Sequence, residues 1–171
     1  MLYVIIIVCA AVLIAADQII KYVVDTNLEI GESVVAIKGL LNWHHLRNDG
    51  ASFSILEGQR WFFIIGTFII LGIIAFILAR KMIIHWVGYV SATLIIAGGI
   101  GNLIDRIRFG EGIDYIDISP LFDFAVFNFA DCCIVVGGIL MCVYILFIHD
   151  KVAIRLSEND PAIEESSEED E

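Results

Sequence analysis

"FAVFNFADCCIVVGGILMCVYILFI", Phe124–Ile148, decides the fold. A bilayer core takes about 20 apolar residues in a helix, and this stretch exceeds that with one charged residue, Asp131. Working outward, three more stretches have the same character: Leu2–Val24, Trp61–Ala79 and Met82–Ile104. Hydrophobic residues make up 59% of the 171, against about 45–50% in soluble domains. The composition therefore predicts an all-α membrane protein with a four-transmembrane-helix bundle. The first stretch lacks a basic start and a small-residue exit, and Asp17 and Lys21 interrupt its far end. It reads as a retained span rather than a signal peptide.

The formal charge of −11 is concentrated at one end. Residues 158–171, "ENDPAIEESSEEDE", hold eight of the 21 acids and no Lys or Arg. They read as a solvated, disordered tail, which makes 1–157 the membrane domain. No basic patch suggests a nucleic-acid partner. Cys9, Cys132, Cys133 and Cys142 lie in apolar runs without C-x-x-C spacing and read as small buried hydrophobes. His44-His45 lacks a third ligand at suitable spacing, so no metal site is expected. No cofactor motif is present.

Four spans return the chain to the side on which it started. The end of span one, the 25–60 loop, the end of span three and the start of span four then share one membrane face. Charge counting does not orient the bundle: Arg80, Lys81, Lys151 and Arg155 lie on one side, and Lys38, Arg47, Arg60, Arg106 and Arg108 on the other. "SVVAIKGLLNWHHL" in the 25–60 loop alternates apolar and polar residues, which predicts short strands at the surface.

Ionisable residues within spans are costly and mark function by default. Asp17 and Lys21 are four apart and share a helix face. Asp105-Arg106 follows "AGGIGN" at the end of span three. Asp131 is expected about two turns into span four, and Asp114 lies in the connection before it. Each has a plainer reading: an interfacial ion pair, a helix stop, a close-packing glycine run, a polar residue bonded to a neighbour. Their convergence on one face favours function. Two facing carboxylates in an apolar site share a proton, so that one can activate water while the other polarises a peptide carbonyl.

Five stretches together resemble the bacterial lipoprotein signal peptidase (signal peptidase II) family: "DQIIK" at 17–21, "RNDGASFSIL" at 47–56, "GGIGNLIDR" at 98–106, "GIDYID" at 112–117 and "FNFAD" at 127–131. The resemblance implies a four-span bundle with a small extracytoplasmic β-cradle in the cell membrane. Both termini would be cytoplasmic and the active site extracytoplasmic. It implies an aspartic endopeptidase that cuts diacylglyceryl-modified prolipoproteins just before the lipidated cysteine. A monomer among membrane lipids is expected. The catalytic pair would be Asp114 and Asp131. Asp17, Lys21, Asn48, Gly98, Asn102, Asp105, Arg106, Asn128 and Ala130 would bind substrate or support the site, with Asp105 near Arg106. Two departures stand out. "GIDY" replaces the usual V-V-D-F, and Ser52 sits where alanine is common. Two other readings of the buried charges are a proton- or cation-conducting protein using Asp17, Lys21 and Asp131, and an assembly factor that binds lipoproteins without cutting.

Overall fold

The computed structural model describes residues 1–50 and 58–158. Ser52, the remainder of "ASFSIL" and all of the acidic tail beyond Glu158 lie outside them. Four helices carry the bundle: α1 (Leu2–Asn27), α2 (Arg60–Ala79), α3 (Trp86–Arg108) and α4 (Phe129–Val143). A π-helical turn, Tyr144–Ile148, and α5 (His149–Glu158) prolong α4. Four spans result, the last running Phe129–Ile154.

Helix α3 is central and packs against α1, α2 and α4. Most of α3 is buried, whereas the other spans turn most of their length outward. Its small residues explain the place it takes. A Cβ on Gly98 would collide with the carbonyl oxygen of Ala130 and stand 2.8 Å from Ile134 Cγ1. From the α4 side, a Cβ on Gly137 would lie 2.8 Å from Ile95 Cγ1, and Ser91 Oγ donates to the Gly137 carbonyl at 2.7 Å. Between helices in lipid, such close backbone approach supplies the packing that hydrophobicity cannot. At the end of the bundle holding Met1, Ile6, Ile74, Leu78, Ile83, Val87, Ala92 and Tyr144 form the apolar core.

A three-stranded antiparallel sheet caps the opposite end. It contains β1 (Ser33–Ile37), β2 (Leu41–Asn48) and β3 (Gly112–Asp117), in the order β1-β2-β3. The first two are the strands expected from the 25–60 loop. The third lies in the connection between spans three and four, which the sequence reads as plain loop. Asn48 pairs with Gly112 and Leu46 with Asp114, so Asn48 and Asp114 share a face as diagonal neighbours.

Two span ends differ from expectation. Helix α3 begins at Trp86 and continues through Asp105-Arg106 to Arg108; Gly110, at φ +89°, turns the chain back. Helix α4 begins at Phe129, because residues 124–127 stay outside the helix and Phe127 bridges Ile116 of β3. Asp131 is therefore in the first turn of α4, not two turns in. The cysteines also differ from expectation. Only Cys133 is buried; Cys132 is half-buried, and Cys9 and Cys142 face outward. Lipid accepts an apolar thiol as readily as a protein core does.

Candidate active site

Asn128 is the N-cap of α4, and its side-chain oxygen accepts from Asp131 N–H at 3.0 Å. Asp131 Oδ2 reciprocates by accepting from Asn128 N–H at 3.1 Å. This capping box anchors Asp131 by its own helix start. The other oxygen, Oδ1, accepts from Asn102 Nδ2 of α3 at 2.7 Å. Asp114 of β3 is held as firmly: Asn48 Nδ2 donates to Oδ2 at 2.8 Å and Asn128 Nδ2 to Oδ1 at 2.6 Å. Asn128 thus touches both carboxylates, one through its side chain and one through its backbone. Asn48 is itself oriented by accepting from Gly50 N–H at 3.0 Å.

Both aspartates face a cleft of about 240 Å³ whose lining also includes Asn48, Asn102, Arg106 and Asn128. Phe63 and Thr67 of α2, Val126 and Ile134 give it apolar sides. Arg106 donates to the carbonyl oxygens of Asn102 at 3.3 Å and Gly50 at 3.4 Å, with its guanidinium 4.8 Å from the Phe63 ring centroid. Burial pushes the Asp114 carboxyl up to about 6, with the Asp131 charge acting in the same direction; the amides of Asn48 and Asn128 oppose this.

Beneath the cleft lies a second, closed cluster. Lys21 Nζ is 2.8 Å from Asp17 Oδ2 and 2.5 Å from Asp105 Oδ2, and all three side chains are buried. They do not form an interfacial pair. Lys21 also donates to Asn102 Oδ1 at 3.2 Å. Asp17 Oδ1 accepts from Ala130 N–H in the first turn of α4 at 3.0 Å. Asp105 does not brace Arg106. Successive helical residues point about 100° apart, so Arg106 turns to the cleft and Asp105 to Lys21.

All eleven candidate residues therefore gather at one end of the bundle. Asn48, Asn102, Arg106, Asp114, Asn128 and Asp131 line the cleft; Asp17, Lys21 and Asp105 lie below it; Gly98 and Ala130 form the α3–α4 contact. The histidines diverge, as neighbours on a strand must. His45 Nδ1 donates to the Leu28 carbonyl oxygen at 2.9 Å. Among the described residues no cluster of His, Cys, Asp and Glu could hold a metal ion. Sequence reasoning missed Gln18, whose Nε2 donates to Asp105 Oδ1 at 3.0 Å and to Asp17 Oδ2 and the Gly101 carbonyl at 3.2 Å. Its signal was its place inside "DQIIK". It also missed Gly101, where a Cβ would sit 2.7 Å from Asp17 Oδ2.

The profile of the Signal peptidase (SPase) II family matches residues 9–147. The chain belongs to the signal peptidase II family. It is similar to the lipoprotein signal peptidase of Listeria monocytogenes serotype 4a, with 42% identity over 139 residues, or 81% of this chain and 90% of that protein. The Streptococcus pyogenes serotype M2 lipoprotein signal peptidase is 39% identical over 131 residues, covering 77% and 86%. A solved bacterial membrane enzyme superposes with TM-score 0.78 at 36% identity, covering 82% of this chain and 87% of that one. This signal peptidase II family member is thus a multi-pass membrane peptidase, a hydrolase, of the bacterial cell membrane.

The raised Asp114 carboxyl carries a consequence for stability. Its ordinary value is 3.8 and its folded value about 6, so between those limits the folded chain binds more protons than the unfolded one. Stability from this group is present below about pH 4 and lost as pH rises through about 6. Asp114→Asn is expected to remove that part of the slope, on the order of 2 kcal/mol between pH 4 and 7. Thermal unfolding in detergent across this range checks it; parallel slopes for parent and variant reject it.

Proposed function

We propose that this chain is an aspartic endopeptidase that removes the signal peptide from diacylglyceryl-modified prolipoproteins, cutting just before the lipidated cysteine. One observation carries the chemistry: Asn128 bridges Asp114 and Asp131 at the wall of a single cleft. Asp114, pushed toward neutrality by burial, carries the shared proton. Asp131 takes a proton from water in the first turn of α4, where the helix dipole favours negative charge. The water oxygen bonds to the scissile carbonyl carbon as the Asp114 proton passes to the carbonyl oxygen. Collapse of the tetrahedral adduct breaks the C–N bond: the cysteine nitrogen leaves with the proton Asp131 took, and a hydroxyl of the adduct returns a proton to Asp114, which leaves a carboxylic acid and restores the pair. Asn48 and Arg106 are placed to bind substrate carbonyls, and the Phe63, Thr67 and Ile134 side suits an acyl chain.

A precursor peptide offered with and without its diacylglyceryl group tests this. Cleavage before the cysteine of the lipidated form alone is expected. Binding without product would support the assembly-factor reading, and proton flux without product the conducting one. A chain ending at Leu156 is expected to cleave as the full chain does, because every group in the proposed chemistry lies between Asn48 and Asp131.

The cleft is assigned to the extracytoplasmic face and both termini to the cytoplasm, because a lipidated precursor presents its cleavage site at the outer surface while four spans return the chain. The working unit is assigned as the monomer, since every group in the proposed chemistry comes from one chain. In a background lacking native cysteines, a thiol at position 48 should label only from outside and one at position 80 only from inside. Light scattering should give one 19.0 kDa chain per particle. Labelling of position 48 from the cytoplasm overturns the orientation.

A further inference from the structure

Tyr115 is 1% exposed, the largest fully buried side chain among the described residues. It occupies the departure in "GIDY", where the family pattern has phenylalanine, so what it adds is a hydroxyl. That oxygen accepts from Phe129 N–H at 3.2 Å. The first three N–H groups of a helix have no partner within it. In α4 they are satisfied by three different elements: Phe129 by Tyr115 of β3, Ala130 by Asp17 of α1, Asp131 by Asn128. Tyr115 also follows Asp114 on β3, and its backbone N–H donates to the Phe127 carbonyl oxygen at 3.0 Å. The Trp43 ring, 5.9 Å away between centroids and tilted by 41°, fixes the phenol from β2.

We infer that Tyr115 is a positioning residue for the catalytic pair: its hydroxyl ties the strand carrying Asp114 to the helix start carrying Asp131 and so sets their separation. The inference rests on the Asp114–Asp131 reading above. Tyr115 does not line the cleft, so substrate does not reach it and it acts through the two aspartates alone. Burial raises the phenol, the Phe129 N–H bond opposes this, and the charges of Asp17 and Asp131 add to the rise. The hydroxyl therefore stays neutral over the working range, and its oxygen remains a hydrogen-bond acceptor.

Tyr115→Phe keeps the ring and removes only the link. The variant is expected to bind lipidated precursor with unchanged KM and to lose kcat about tenfold, or about 1.4 kcal/mol of barrier. A looser pair couples less strongly, so its two apparent pKa values approach each other. The alkaline limb of the kcat profile should accordingly move toward acid, a change that a purely structural tyrosine would not cause. Should Tyr115→Phe fail to fold, 2,3-difluorotyrosine at position 115 keeps the hydroxyl and weakens it as an acceptor; a smaller loss of kcat with the same direction of limb movement is then expected. Parental kcat and pH profile in the folded Phe variant, or in the fluorinated protein, overturn the inference. Asp114→Asn and Asp131→Asn in the same assay keep the two readings distinct. If both abolish cleavage while Tyr115→Phe is parental, only the tyrosine's role falls; if either retains cleavage, the pair itself falls and this inference with it.

Discussion

Asp114→Asn and Asp131→Asn are each expected to lower kcat for lipidated precursor by at least about 10⁴-fold, with the double variant hardly worse than either. The hydrogen bonds explain both parts. Each carboxylate is held by two donors, and Asn128 is common to the two. A single asparagine removes either the base that takes the water proton or the acid that protonates the carbonyl oxygen. The remaining aspartate then faces a neutral amide and shares no proton. Removing it as well deletes a group already idle, so the losses do not add. Folding should survive, because both positions meet the cleft and an amide fills the same volume. Single-turnover cleavage, with unfolding temperatures as the control, decides the outcome. A folded single variant retaining a tenth of parental kcat would remove that aspartate from the chemistry.

How much of this was legible beforehand differs between the bundle and its end. Span count and span order followed from apolar length, since lipid offers no other partner for the backbone. Which face of each helix turns inward did not follow. Both faces are apolar, which is why Cys9 and Cys142 could not be told from Cys133. The polar site residues were legible for the opposite reason: a charge such as Asp17 or Asp105 has no low-cost place in a bilayer except against another polar group. What stayed hidden was set by pairing across the chain. Strand β3 exists because "GIDYID" meets β2, and α4 starts late because Phe127 bridges Ile116. Neither pairing leaves a local periodicity. Gln18 and Tyr115 were hidden differently. Each adjoins a carboxylate that drew the attention, and each acts through a partner on another element.

Lys21→Met is expected to be the most destabilising single change at this end of the bundle. Lys21 is 1% exposed and spends its donors on Asp17, Asp105 and Asn102. Its removal leaves two buried carboxylates facing each other without a cation. Losing one partner of a buried pair costs about 3–5 kcal/mol, and here two anions are stranded. Asp105→Asn is expected to cost less, because Lys21 then keeps Asp17 as a one-to-one pair. The two variants should also differ in activity. Asn102 Oδ1 accepts from Lys21 and from Asn128 Nδ2, which leaves its Nδ2 for Asp131. Without the ammonium, one of the two donors fixing that amide is gone, and Asp131 loses a settled partner. Asp105→Asn leaves this orientation in place. Unfolding in denaturant should therefore rank parent, Asp105→Asn and Lys21→Met in falling stability, with cleavage per folded molecule falling mainly in the last. If Asp105→Asn instead abolishes single-turnover cleavage at unchanged substrate affinity, Asp105 takes part in the chemical step and the closed cluster beneath the cleft is not merely its support.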